Sequence, residues 1–397
     1  MPASERVTIM RHPTSDPLAG PDPVDEQLPD WARWAPSAPY SLGAEEEVMV
    51  LEPGSWRLAR DSEVLLANLP MDLSSHISAE THDAVLEIAT RPHREVAGVG
   101  AELRRLRRRL QQQVDRAGLR MAACGTHPAV TWEDVRVSPG SRYQLILESM
   151  RGLARREPTF ALHVHVGVPD GAAGVALLNR MRTHLPLLLA LSANSPFWQG
   201  RDSGLSSVRT PIFQGFPRVG IPLAFASYLE YVDVVDQLLR CGAFPEPSFL
   251  WWDVRLRPVF GTVEVRVMDV QSTVERSVAL TALIQSIARL ELEEGFHDGA
   301  LIHAPEILNE NRFLAARDGM DARFLDPVSE TSVEARDLLA ELLSAAMPHA
   351  QDLGAEDALS LIPDMARNVG AEQQRRIAET MGIERVISML SDRFSPL

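Results

Sequence analysis

The chain has 397 residues, 45% hydrophobic and 23% charged, enough for one large domain or two modest ones with a sizeable core. Its formal charge of -15 argues against nucleic acid or an anionic membrane as partner, because both are gripped through basic surfaces. All 39 basic residues are arginine, which excludes a lysine-dependent P-loop and Schiff-base chemistry, so any phosphate must be handled by arginine and metal.

Residues 1–40 are rich in Pro and Asp, nearly free of periodicity, and hold two tryptophans in DWARWAP, so a partly extended arm is expected there. From Tyr40 onward, alternating strands are predicted at GAEEEVMVLE, AVLEIAT, LRMAACGTHP, FALHVHVGV, WWDVRLRP and TVEVRVMDV, each bounded by Gly, Pro or Asp. Apolar spacings near 3.6 predict helices over Arg94 to Ala117, Gly171 to Ala193, Pro222 to Arg240 and Val274 to Glu294, with helices again from about 332 to the end. In LRRLRRRLQQQ, Leu103, Leu106 and Leu110 make the buried stripe, and the arginines are expected on the solvated side. The pattern predicts an α+β fold, an antiparallel or mixed sheet packed by helices, with 41–397 as a single domain behind the arm. Cys124 and Cys241 stand far apart with no CxxC spacing, no N-terminal apolar core of a signal peptide is visible, and no apolar run approaches the ~20 residues of a membrane span. A cytoplasmic protein free of membrane and nucleic-acid partners is the expectation.

Residues two apart on a strand share a face. Glu45 and Glu47 therefore point together, as do His163, His165 and Gly167, and as do Glu264 and Arg266, while Glu87 sits among apolar neighbours. Carboxylates gathered on one face repel and stay ionised only beside cations. An oxygen-rich donor set with one imidazole suits Mg²⁺ or Mn²⁺ better than Zn²⁺.

The acidic strand GAEEEVMVLE resembles the opening Gly-x-Glu-Glu-Glu strand of the glutamate-cysteine ligase type 2 family, the bacterial carboxylate-amine ligases. SAETHDAVLEIATRP, GTHP, HVHVGVPD, LSANSPFWQGRDSGLSSVRT, WDVRLRPVFGTVEVRVMD and NENRFLAARDG follow in the order of that family, over roughly residues 41 to 390. The resemblance implies a glutamine synthetase-like fold: a curved antiparallel sheet forming a funnel, with ATP at one end and the amino-acid substrate at the other. It further implies that Glu45, Glu47, Glu80, Glu87, His163 and Glu264 hold Mg²⁺, with His165 near the ATP phosphates. Arg209, Arg255 and Arg266 would contact the transferring phosphoryl group or the substrate carboxylate, and Arg142 in SRYQLI is a further substrate candidate.

The implied reaction joins a small-molecule carboxylate to an amine through an acyl phosphate made from ATP, and the implied assembly is a homodimer or larger homo-oligomer. Two alternatives stand beside it: a metal-dependent amide hydrolase using the His-x-His strand, and a catalytically silent nucleotide-binding protein. Trp251 and Trp252 are expected as core or cleft wall, and Asn311 and Arg317 match the late motif without a physical role.

Overall fold

The computed structural model describes residues 28–60, 62–156, 158–296 and 299–395, so residues 1–27 of the arm lie outside it. The strands of the main sheet are β1 (Leu42–Leu51), β2 (Ile77–Ala79), β3 (Val85–Ala89), β4 (Arg120–Ala122), β5 (Ala161–Gly167), β6 (Val254–Arg257) and β7 (Thr262–Asp269). They run β6-β7-β5-β1-β3-β2, with β4 also paired to β1, and all the pairings are antiparallel. The sheet is open, and helices pack on it, giving the α+β architecture that the alternating strands predict.

Alternation divides each strand into a charged face and a core face. On β5 and β7, Val164, Val166, Val263 and Val265 are buried, each contributing about 1.5–3 kcal/mol of transfer free energy. Helices of ten or more residues are α1 (Val96–Arg116), α2 (Ser141–Met150), α3 (Gly171–Ser192), α4 (Tyr228–Arg240), α5 (Val274–Glu293), α6 (Pro305–Asp318), α7 (Ala335–Asp352), α8 (Gly370–Met381) and α9 (Ile383–Phe394). Of these, α1, α3, α5 and α9 pack against the sheet. The stripe of α1 turns Leu103, Leu106, Leu110 and Val114 inward, while Asp170 caps α3 by accepting the Ala173 N–H at 2.7 Å.

The arginines of α1 do not all face solvent, contrary to expectation. Arg107 is buried and donates from Nε and Nη2 to Glu46, both at 2.7 Å. Its other donors reach the Gln271, Ser272 and Phe394 carbonyls at 2.8, 3.3 and 3.3 Å. The reason lies in β1, where Glu46 falls between Glu45 and Glu47 and so points to the core. A carboxylate there is tolerable only when paired, and a nearby helix supplies the cation.

Several boundaries also differ from the sequence reading. The predicted start of α4 at Pro222 moves to Tyr228, because Ser227 caps the helix through the Glu230 N–H (3.1 Å) and Asn179 holds Phe225 outside it by two hydrogen bonds. WWDVRLRP is two short strands divided at Asp253, and LRMAACGTHP is strand only over Arg120–Ala122. Helix α2 and a hairpin over residues 323–334, turned by Asp326 accepting from Val328 N (3.0 Å) and Ser329 Oγ (2.7 Å), carry no periodicity strong enough to be read from sequence.

Residues 28–40 lie against the body of the protein. Trp34 Nε1 donates to the Val168 carbonyl at 3.1 Å, and the Ala35 N–H donates to Pro258 at 2.8 Å. Gly261 makes room for this segment: it holds φ +63°, and a Cβ there would fall 2.1 Å from the Ala35 oxygen.

Candidate active site

Register sets the site. Glu45 lies directly opposite His163, Glu47 opposite Glu87, Glu264 opposite His165, and Arg255 opposite Glu264. Cross-strand neighbours stand about 4.5–5.5 Å apart, so one sheet face carries a patch of acid, imidazole and guanidinium. Over it opens a cavity of about 420 Å³. Glu45, Glu47, Glu80 and Glu87 form its acidic wall; His163, Arg142, Arg209, Arg255 and Arg266 also line it, and Ile146, Met150, Phe213 and Phe216 add apolar surface. His165 and Glu264 lie beside this wall rather than on it: His165 contacts Glu45 (3.2 Å) and Thr262 Oγ1 (3.0 Å), and Glu264 is fully buried.

The acidic wall is electrostatically overloaded. Burial and the neighbouring Glu80 carboxylate push Glu47 up to about 7, although its Oε2 accepts the Ala161 N–H at 2.7 Å. Glu80 is raised by burial, and Glu87 is raised well above the ordinary carboxylate range by burial and then by Glu45, Glu80 and Glu47. Burial also acts on Glu45, but His165 and His163 outweigh it and hold that carboxyl low. Burial and then Arg266 push the His163 imidazole down to about 4, leaving it neutral at neutral pH. Its 3.2 Å contact is therefore a hydrogen bond donated by a neutral ring to the Glu45 carboxylate, the neutral ring being the form in which histidine ligates metals.

These donors fit a divalent cation. Like-charged oxygens that raise one another's pKa are the groups a hard cation would relieve. Glu45, His163 and Glu264 place one ligand atom each within 4.8 Å of one another. Glu264, however, already receives Arg255 Nε at 2.7 Å and Nη2 at 3.1 Å, and Arg266 Nη1 as well. Burial alone would raise its carboxyl, but Arg255 and Arg266 hold it well below the ordinary range. Glu45, Glu47, Glu80 and Glu87, unlike Glu264, line the cavity.

The arginines divide by role. Arg255 is committed to Glu264 and to the Ser248 and Leu250 carbonyls. Arg209 and Arg266 each keep a buried Nε without a hydrogen-bond partner among the described residues. Strand β7 bulges between Val265 and Met268, opposite His163 on β5, and the Arg266 and Val267 carbonyls accept from Arg209 at 3.2 and 3.0 Å. Bulges of this kind re-aim side chains beside active sites. Farther out, Arg142 donates to Glu246 and to Ser248 Oγ (3.0 Å), with its guanidinium 4.7 Å from the Phe249 ring centroid.

Trp251 lines the cavity, whereas Trp252 packs 6.1 Å from Phe225 between ring centroids. Glu246, Ser248 and Arg257 line the cavity too and were not singled out from the sequence: Glu246 and Ser248 lie where the alternating pattern breaks, whereas Arg257, two residues after Arg255 on β6, could have been found by period-2 spacing. The late motif acquires a physical role. Asn311 pins the hairpin through the Leu325 N–H (2.7 Å) and carbonyl (2.9 Å), and Arg312 pairs with buried Asp253. Arg317, by contrast, pairs locally with Asp318 at 2.7 Å, away from the cavity.

The open antiparallel sheet with helices packed against it and an acidic cavity on its charged face has the fold of glutamine synthetase-like ligases. A solved glutamate-cysteine ligase from Francisella tularensis, in complex with AMP, superposes with a TM-score of 0.66 at 15% identity, over 91% of this chain and 89% of that one. Residues 41–389 match the family Glutamate-cysteine ligase family 2 (GCS2), and the chain belongs to it. The "Putative glutamate--cysteine ligase 2-1" of Rubrobacter xylanophilus is 40% identical over 344 residues, 86% of this chain and 91% of that protein. The "Putative glutamate--cysteine ligase 2" of Herpetosiphon aurantiacus is 34% identical over 359 residues, 89% and 93% of the two chains. No helix among the described residues is long and apolar enough to cross a membrane.

Proposed function

We propose that this ligase is ATP-dependent and forms an amide between a small carboxylic acid, the γ-carboxylate of glutamate or a similar acid, and an amine, by way of an acyl phosphate. The observation that carries this reading is the cavity itself, whose lining brings four clustered carboxylates, Glu45, Glu47, Glu80 and Glu87, together with the guanidinium groups of Arg209 and Arg266. A carboxylate oxygen leaves only after phosphorylation to an acyl phosphate, a mixed anhydride, and ATP supplies the γ-phosphoryl group and departs as ADP.

In this reading Glu45, Glu47, Glu80, Glu87 and His163, with Glu264 at their edge, hold Mg²⁺ or Mn²⁺. A bound divalent ion supplies charge neutralisation for phosphate oxygens. Arg209 and Arg266 take the oxygens of the transferring group through permanently charged, bidentate donors. Arg255 fixes Glu264, His165 orients Glu45 on the nucleotide side, and Arg142 at the outer end meets the substrate carboxylate. The amine attacks the acyl carbon, and phosphate departs. A hydrolase reading finds no comparable support, since the cavity offers carboxylates where a zinc site would want further imidazoles.

The test is ADP formation from Mg²⁺-ATP and glutamate, with and without a panel of amines including cysteine, with the product identified by mass. Amine-dependent ADP release with a dehydrated condensation product is expected. Nucleotide binding without ADP release across a broad panel of acids would favour the silent alternative, and absence of nucleotide binding would defeat the reading.

A further inference from the structure

Three motif segments converge on one buried carboxylate. Asp269, the last residue of β7, is fully buried. Its Oδ2 accepts the Asn194 N–H at 2.8 Å and Ser195 Oγ at 2.7 Å, both from LSANSPFW; its Oδ1 accepts Ser207 Oγ at 2.9 Å, from LSSVRT. Gly125, from GTHP, lies so close that a Cβ there would stand 2.5 Å from the Asp269 Cγ. Three donors and a glycine contact leave the carboxylate no freedom to turn.

Arg209 is bound to this hub. Its Nη1 lies 3.9 Å from Asp269 Oδ1, and its backbone N–H donates to Ser195 Oγ at 3.3 Å. The same guanidinium is held by the two carbonyls of the β7 bulge, two and three residues before Asp269. Asp269 therefore acts on Arg209 twice, as a fixed counter-charge and as the anchor of the strand end whose bulge receives the guanidinium. The other buried carboxylate on β7, Glu264, serves Arg255 and Arg266 instead, so the two acids address different arginines.

We propose that Asp269 is a positioning residue for Arg209, holding its guanidinium against the β7 bulge so that it faces the cavity. The inference rests on the reading that Arg209 meets an anionic group there. Partners that orient metal-ligating side chains cost about 10–100-fold when removed, and the same scale is expected for a counter-ion that orients Arg209.

The experiment is a double-mutant cycle on the full chain with Asp269→Asn, Arg209→Gln and the pair, read as kcat and KM for Mg²⁺-ATP and, separately, as affinity for ADP with Mg²⁺. Asp269→Asn keeps the shape and loses the charge. The expected result is a 10–100-fold loss in Asp269→Asn, with little further loss when it is added to Arg209→Gln. Ser207→Ala, which removes one donor and no charge, is expected to lose several-fold in the same coupled way, and it carries the cycle if Asp269→Asn does not fold. Losses that multiply in the double variant, or wild-type kinetics and ADP affinity in Asp269→Asn, would overturn the proposal. If the wild type binds ADP but never releases it from ATP, the ligase reading fails while the affinity cycle still decides the role of Asp269.

Discussion

Replacing Glu47 with Gln separates the electrostatic reading of the acidic wall from a merely structural one. Glu47 titrates near 7 in the folded protein against an ordinary 4.5, because it is buried beside Glu80. At about 1.36 kcal/mol per pH unit this gap corresponds to roughly 3 kcal/mol. The folded state holds a proton that the unfolded chain has released, so stability is fully present below about 4.5 and is lost as pH rises through about 7. Gln cannot ionise, yet keeps an oxygen for the Ala161 N–H. In EDTA at pH 8, Glu47→Gln should thus be more stable than wild type by up to about 3 kcal/mol in urea unfolding, with the difference gone at pH 4.5. Comparison with wild type at each pH isolates Glu47 from the histidines titrating nearby. Added Mg²⁺ should close most of the gap, since an ion at 100 times its Kd stabilises by about 2.7 kcal/mol and the variant has lost a ligand. A variant no more stable than wild type at pH 8 in EDTA, or one that gains as much from Mg²⁺, would refute the reasoning.

Other consequences can be checked in the same way. Glu46→Ala leaves Arg107 buried without its carboxylate and should cost about 3–5 kcal/mol in urea unfolding; Glu46→Ala with Arg107→Leu should cost less than the two single changes together. Gly261→Ala puts a Cβ 2.1 Å from the Ala35 oxygen at positive φ, so a loss of at least about 1–2 kcal/mol is expected, with faster proteolysis near Trp34. His82, His127 and His163 are each pushed down to about 4, with burial the largest cause. The unfolded chain binds their protons first, so the stability they contribute is present above 6.5 and lost as pH falls through about 4, by up to about 3 kcal/mol each. Removing His127 should flatten that part of the acid profile. Arg142→Gln should raise the KM for the acid several-fold while leaving that for ATP unchanged, and an unchanged KM for the acid would remove Arg142 from substrate binding.

Period-2 spacing alone places Glu45 with Glu47, His163 with His165 and Glu264 with Arg266, and the motif order points to the family that the comparisons bear out. This much was legible because a pleated strand fixes which side chains share a face, whatever it pairs with. Partnership was not legible. Whether Glu264 faces the cavity or is enclosed by Arg255 and Arg266, and whether Arg107 is solvated or buried against Glu46, depends on which strand or helix lies beside it. The same holds for Arg209, whose aim is set by a bulge on β7 and a carboxylate 60 positions later in the chain. Local sequence determined the faces and the chemistry they carry. Only the tertiary structure decided which charges meet, because strand order and helix packing bring together residues whose separation along the chain no local pattern encodes.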